Sequence, residues 1–172
     1  LYDVQSLIAA APLVLEEHPE TRFAIAGTGS QEAELKELSI GLGVSNSVLF
    51  LGRVPNDQLA GYFASADVYV STSLSDAGLA ASTAEAMACG LPVVITDFGD
   101  NGKWVQDGRN GFIIPLKDSG SLAQRILELV GDPPLRKRFG KVNRKIIEHR
   151  NNYYREMDRM GRLYEQMISG CV

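Results

Sequence analysis

The chain has 172 residues and a net charge of −4, with 45% hydrophobic and 22% charged residues. That is enough apolar material for one domain core and too much for a disordered chain. No apolar run reaches the roughly 18 residues of a membrane span. Two cysteines (Cys89 and Cys171) and two histidines (His18 and His149) exclude a disulfide framework and a Cys/His zinc centre. No basic leader segment opens the chain, so the cytoplasm is the expected compartment, and the missing initiator Met suggests a piece of a longer protein.

Taken in order, short apolar runs alternate with helical periodicity. A helix is predicted over 2–17, where Ile8, Ala11 and Leu15 follow a helical and not an alternating pattern. Strands are predicted at 22–26, 48–51, 67–71, 92–96 and 111–114, each ending near Gly, Pro or Ser as buried parallel strands do. Helices are expected between them at 31–42, 57–65, 82–89 and 100–106. After the last strand the chain turns wholly helical, with one helix over 119–130, another started by Asp132-Pro133-Pro134, and one or two more within 141–168. The alternation implies right-handed crossovers and a Rossmann-like α/β architecture, a parallel sheet with helices on both faces and a helical C-terminal tail. The expected organisation is a sheet domain over 1–132 with C-terminal helices, 133–172, packed on it.

Charge divides at the same place. Residues 1–132 carry 7 Lys/Arg and 17 Asp/Glu, whereas residues 133–172 carry 10 and 4. A basic tail on an acidic body fits either solvated helix faces or a peripheral contact of the 136–162 region with anionic lipid at the inner face of a membrane. Acidic residues interrupt the tail, which argues against a nucleic-acid arm.

Open parallel sheets bind ligands where strands run out into helix N-termini. Gly27-Thr28-Gly29-Ser30 permits a tight turn there, but a third glycine and an acidic residue after the next strand are missing, so a dinucleotide is not expected. At Leu51-Gly52-Arg53-Val54-Pro55 an extended backbone can pair with the edge of a flat heterocycle. Otherwise Arg53 is simply solvated and Asn56 caps the next helix. The stretch from Ser71 to Gly90 is rich in small residues, and the amides of Ala80, Ala81 and Ser82 are placed to meet an anion. Glu85 lies one turn further. It reads either as a ligand for ribose hydroxyls or as the partner of Ser82 in a capping box. Cys89 reads as core, and neither histidine has the surroundings of a catalytic triad.

Phe23-Ala-Ile-Ala-Gly-Thr-Gly29, Val48 to Pro55, Tyr62 to Ser71, Glu85-Ala-Met-Ala-Cys-Gly-Leu-Pro-Val-Val94 and Gly108-Arg-Asn-Gly-Phe112 together resemble the C-terminal, nucleotide-sugar-binding half of GT-B glycosyltransferases of family four, the glycosyl transferases group 1 type. The likeness spans nearly the whole chain. It implies that Glu85 binds the donor ribose and that backbone at Arg53 and Val54 contacts the base. It also implies that the amides of Ala80, Ala81 and Ser82 hold phosphates and sugar beside the Gly27 and Gly29 loop. The family's second glutamate, which touches the transferred sugar, falls at Ala77, so Asp76 is its expected substitute. The implied function is donor binding in a retaining, metal-independent transferase that takes a UDP- or GDP-sugar as substrate, needs no cofactor, and transfers to an acceptor hydroxyl in polysaccharide, lipopolysaccharide or glycolipid synthesis. A non-catalytic nucleotide-sugar-binding or partner module of the same fold is the alternative. A hydrolase or epimerase would need an acid/base pair that the sequence lacks.

The family's C-terminal half opens with a central strand followed by an Arg and a Lys for the diphosphate, and this chain begins at the helix after them. The acceptor domain is likewise expected to lie outside it, so the chain alone is expected to be inactive. The missing strand belongs between the strands at 22–26 and 67–71, so five strands are expected, with that slot closed directly or filled in trans.

Overall fold

The structure, a computed structural model, describes residues 2–75 and 78–170. Five parallel strands form as the apolar runs predict: β1 (Phe23–Ala26), β2 (Val48–Gly52), β3 (Tyr69–Ser71), β4 (Val93–Thr96) and β5 (Gly111–Ile114). The helices are α1 (Val4–Glu17), α2 (Glu32–Gly41), α3 (Asn56–Ser65), α4 (Ala81–Ala88), α5 (Ser119–Gly131), α6 (Pro133–Arg150) and α7 (Tyr153–Ser169). The helix expected over 100–106 is only a 3-10 turn, Asn101–Lys103. The side chain of Asn101 turns back to donate to the Thr96 carbonyl at 2.9 Å, and the Asn110 side chain accepts the Gln106 amide at 2.8 Å. Both bonds serve a tight loop and compete with helix continuation.

The strands do not make one sheet. β1 pairs only with β2, and β3, β4 and β5 form a separate sheet in that order. The slot between β1 and β3 is therefore not closed directly, which leaves filling in trans as the expected alternative. Ile8, Ala11 and Val14 of α1 and Leu122, Ala123 and Ile126 of α5 share one core with Phe23 and Val48 on one sheet and Val94, Phe112 and Ile114 on the other. The two sheets are thus joined through this shared core and not through strand pairing.

The three-stranded sheet is covered on both faces. Val94 points into the shared core, while Val93 and Ile95 join Met87 and Val105 in a second cluster against Ile146 and Ile147 of α6. The β1–β2 pair is covered on one face, and Ala24 and Leu49 on the other are exposed, Leu49 by 48%.

The tail splits into two unlike helices. α6 buries Phe139, Gly140 and Asn143. The Asn143 amide group donates to the carbonyls of Leu91 (2.7 Å) and Asn110 (2.8 Å), and Asn110 donates back to the Asn143 side-chain oxygen at 2.7 Å. These bonds tie α6 to the segments that enter β4 and β5. α7 buries no residue.

Candidate functional site

The carboxyl ends of β1 to β4 lead into four loops. At the first, Gly27 takes φ +130° and its amide donates to the Gly52 carbonyl at 2.8 Å, which joins the β1 and β2 exits. Gly52 itself sits at φ +64°. A side chain is disfavoured at both positions by backbone conformation. An added Cβ at Gly29 would meet nothing within 4 Å, so space does not require that glycine. Arg53 is exposed, and its guanidinium has no hydrogen bond or ion pair among the described residues. Val54 is half-buried and Pro55 extended at φ −61°, ψ 144°. The expected cap at Asn56 does not form: Asn56 is already helical, and Pro55 takes the cap position without a side-chain bond.

Caps separate two kinds of helix. The side chains of Asp3, Asp118, Asp132 and Asn152 each accept an amide at the start of α1, α5, α6 and α7. The helices that follow β1, β2 and β3 start at Gln31, Pro55 and Ala80 without any side-chain cap. At α2 the Glu32 amide is taken by the Gly29 carbonyl at 3.2 Å, whereas the first amides of α3 and α4 are left for solvent or ligand. At α2 the opening turn already holds Glu32 and Glu34, which oppose a second anion. At α4 no acidic residue stands in the first turn. The amides of Ala80, Ala81 and Ser82 meet no acceptor among the described residues.

The capping box is not formed either. Ser82 lies inside α4 and its hydroxyl is 2.8 Å from the Tyr69 hydroxyl, with Thr83 donating to the same phenol oxygen at 3.4 Å. These bonds fix the start of α4 against β3. Glu85 is exposed, and its carboxylate has no partner among the described residues. Cys89 is exposed as well, not core: Ala86 and Met87 fill the interior while Cys89 closes the helix at its C-cap. Asp76 and its neighbour Ala77 lie outside the described residues.

Sequence reasoning missed the buried polar support beneath these loops. The Thr96 hydroxyl donates to the Ser73 carbonyl at 2.6 Å, and Asn101 holds the Thr96 carbonyl. The Asp3 amide donates to the Thr72 carbonyl at 2.9 Å. A threonine closing the apolar run 92–96 was the available signal. No hydrogen bond or ion pair among the described residues links Glu85, Arg53 and the 27–29 turn to one another; each stands on its own loop. No group of metal-ligating side chains occurs among the described residues.

A parallel α/β layer structure is of the doubly wound type, in which ligands as a rule meet the carboxyl edge of the strands, and here that edge carries uncapped helix starts. The profile of the glycosyl transferases group 1 matches residues 2–146, and the chain belongs to that family. It is 31% identical over 149 residues to a GDP-mannose-dependent monoacylated alpha-(1-6)-phosphatidylinositol monomannoside mannosyltransferase of Corynebacterium glutamicum, covering 83% of this chain and 38% of that protein. The chain spans between 31% and 44% of the length of the curated relatives it matches. Its fold superposes on Anabaena Alr3699/HepE, solved in complex with UDP and glucose, with a TM-score of 0.86 at 24% identity, covering 96% of this chain and 45% of that one. It also superposes on the C-terminal domain of a glycosyl transferase group 1 family protein (LpcC) of Francisella tularensis, with a TM-score of 0.79 at 22% identity, covering 87% of this chain and 80% of that one. The fold is that of the C-terminal half of GT-B glycosyltransferases.

Proposed function

We propose that the chain is the donor-binding half of a retaining glycosyltransferase, taking a UDP- or GDP-linked sugar whose glycosyl group passes to an acceptor hydroxyl during polysaccharide, lipopolysaccharide or glycolipid synthesis. The observation that carries this reading is Glu85, an exposed carboxylate that has no partner among the described residues, one turn into a helix whose opening amides meet no acceptor among them. Family membership and the UDP and glucose bound to the Anabaena neighbour support it.

In this reading the Glu85 carboxylate accepts hydrogen bonds from the ribose hydroxyls. The amides of Ala80, Ala81 and Ser82, at the positive end of the α4 dipole, meet the diphosphate. Backbone at Arg53 and Val54 reads the edge of the base, and Asp76 meets the transferred sugar. As the glycosidic bond breaks, charge gathers on the leaving diphosphate, and amides already aimed there stabilise it without reorganising. No step uses a metal ion. Between Arg53 and Lys103 there is no Lys or Arg, so the β3–α4 segment supplies no cation of its own to assist these amides. Donor affinity of the chain by itself is therefore weak, and transfer needs the groups and acceptor site of a longer protein.

Calorimetry with UDP, GDP and the bare nucleosides tests the site. The expected result is diphosphate bound more tightly than nucleoside; equal affinity for uridine and UDP would overturn it. Glu85→Gln should weaken binding roughly tenfold, the scale of one charge-assisted hydrogen bond. It should leave the melting temperature unchanged, because no group among the described residues bonds the carboxylate. Lost stability with unchanged affinity would refute the ribose role.

A further inference from the structure

The positive charge of the tail is not spread along it. α6 holds seven Lys/Arg and one Glu, while α7 holds three of each sign, so the whole excess of +6 sits on α6. Three of the seven are engaged internally: Arg136 bonds the carbonyls of Leu129 and Val130 and pairs with Asp67 at 3.1 Å, Arg144 pairs with Glu148 at 3.0 Å, and Arg150 donates to the Lys103 carbonyl at 2.8 Å. Lys137, Arg138, Lys141 and Lys145 are exposed without a carboxylate partner among the described residues.

Beside this face runs a groove between α6 and the segment 103–110. Two adjoining cavities, of about 180 and 360 Å³, share Arg109, Val142, Ile146 and Arg150 in their walls. The Arg150 guanidinium lies 4.2 Å from the centre of the Trp104 ring, and Arg109 is steadied by the Gln106 side-chain oxygen at 2.6 Å. Of the bordering carboxylates, Asp100 pairs with Lys103 at 2.9 Å, and Asp107 lies 3.9 Å from Arg125, which it shares with Glu128 at 3.0 Å. The groove is thus apolar along its floor and cationic at its rim. Asn143 anchors this side of α6 to the segments entering β4 and β5, the strand ends opposite those that carry the donor loops.

We propose that this groove and the adjoining solvent face of α6 dock the protein on a membrane surface containing anionic phospholipid. Phosphate groups lie against Arg109, Lys141 and Lys145, and Val142, Ile146 and the edge of Trp104 take the glycerol and upper acyl region. The charge distribution sets the orientation, since residues 1–132 carry a net −10 and are repelled by the same surface. The donor edge then faces away from the lipid and stays open. A nucleic acid fits less well, because base stacking needs a free aromatic face and Arg150 already covers that of Trp104.

The test is co-sedimentation of the full chain with phosphatidylcholine vesicles, with and without phosphatidylglycerol. Binding is expected only to the anionic vesicles and should fall with salt. At about fivefold per surface cation, the combined variant Arg109→Gln, Lys141→Gln, Lys145→Gln should lower partitioning by roughly two orders of magnitude. Removing three cations from the acidic body (Arg22→Gln, Lys36→Gln, Lys117→Gln) should change it less than twofold. Thermal melting of both variants confirms that they fold. Equal binding to neutral vesicles, or an equal loss in the control variant, would overturn the proposal. So would displacement by inorganic phosphate beyond that caused by sodium chloride of matched ionic strength, which would identify a free-anion site. Binding of a short single-stranded RNA as tight as that of the vesicles would overturn it in favour of a nucleic-acid surface.

Discussion

Asp118 caps α5 by accepting both the amide and the hydroxyl of Ser121, at 2.9 and 2.6 Å. The hydroxyl bond first, then the amide bonds, hold its carboxyl below the usual carboxylate range. A carboxyl depressed in the folded state stabilises the fold above its unfolded pKa, near 3.9, and that contribution is lost as pH falls through the folded value. Melting temperature followed from neutral pH into acid should therefore separate wild type from Asp118→Asn above about pH 4, and the difference should shrink below it. A constant difference across the range would mean that the charge is not what the cap uses. Such caps are legible in sequence, because Asp three residues before a partner amide is a local pattern. The state of Glu85 was not. Ser82-x-x-Glu85 reads as a capping box until Tyr69, thirteen positions away, engages the Ser82 hydroxyl and the cap moves to Ala80. Local spacing cannot report a competitor brought in by the sheet.

At the scale of elements, α6 owes its place to the absence of a side chain. A Cβ at Gly140 would collide with the backbone carbonyl of Gly90, which itself takes φ +81° at the turn between α4 and β4. Helix and turn meet backbone to backbone, which brings Asn143 within reach of Leu91 and Asn110. Gly140→Ala must push them apart and should cost about 2 kcal/mol in urea denaturation, the usual range for overpacking a tight contact. Gly161 in α7 is the contrast, with nothing within 4 Å. Gly161→Ala should raise amide protection within α7, by up to about 1 kcal/mol of helix propensity, and leave the main transition where it was, since α7 buries nothing. An unchanged midpoint for Gly140→Ala would show the contact to be slack. The strands were legible because each is a compact apolar run, and α1 and α5 because their periodicity is helical. The division of the tail at 151–152 was left open, since Asn151-Asn152 interrupts a continuous polar pattern without a proline or glycine.

For the whole molecule, one core supports two sheets whose facing edges are unpaired among the described residues. β1 and β3 each lack a neighbour on one side, and the open backbone groups of such edges invite pairing with another strand. The number of strands could be read from the sequence, but not the separation of the sheets, which is a matter of tertiary packing and has no local signature. The route of the chain indicates which strand fits. Asp3 and Tyr2 pair with Thr72 and Ser73 at the exit of β3, immediately before α1. A strand ahead of Tyr2 would thus end beside the exit of β3, where Tyr2 and Ser73 form an antiparallel bridge, and enter α1 directly. A chain extended by such a strand should gain several kcal/mol, at about 1 kcal/mol for each new ladder bond. It should also lose any tendency to associate along those edges. Differential scanning calorimetry and size-exclusion chromatography of the two chains decide the matter. An extended chain that melts at the same temperature, in the same oligomeric state, would show that the gap is not a strand site and that the helix layer alone accounts for the divided sheet.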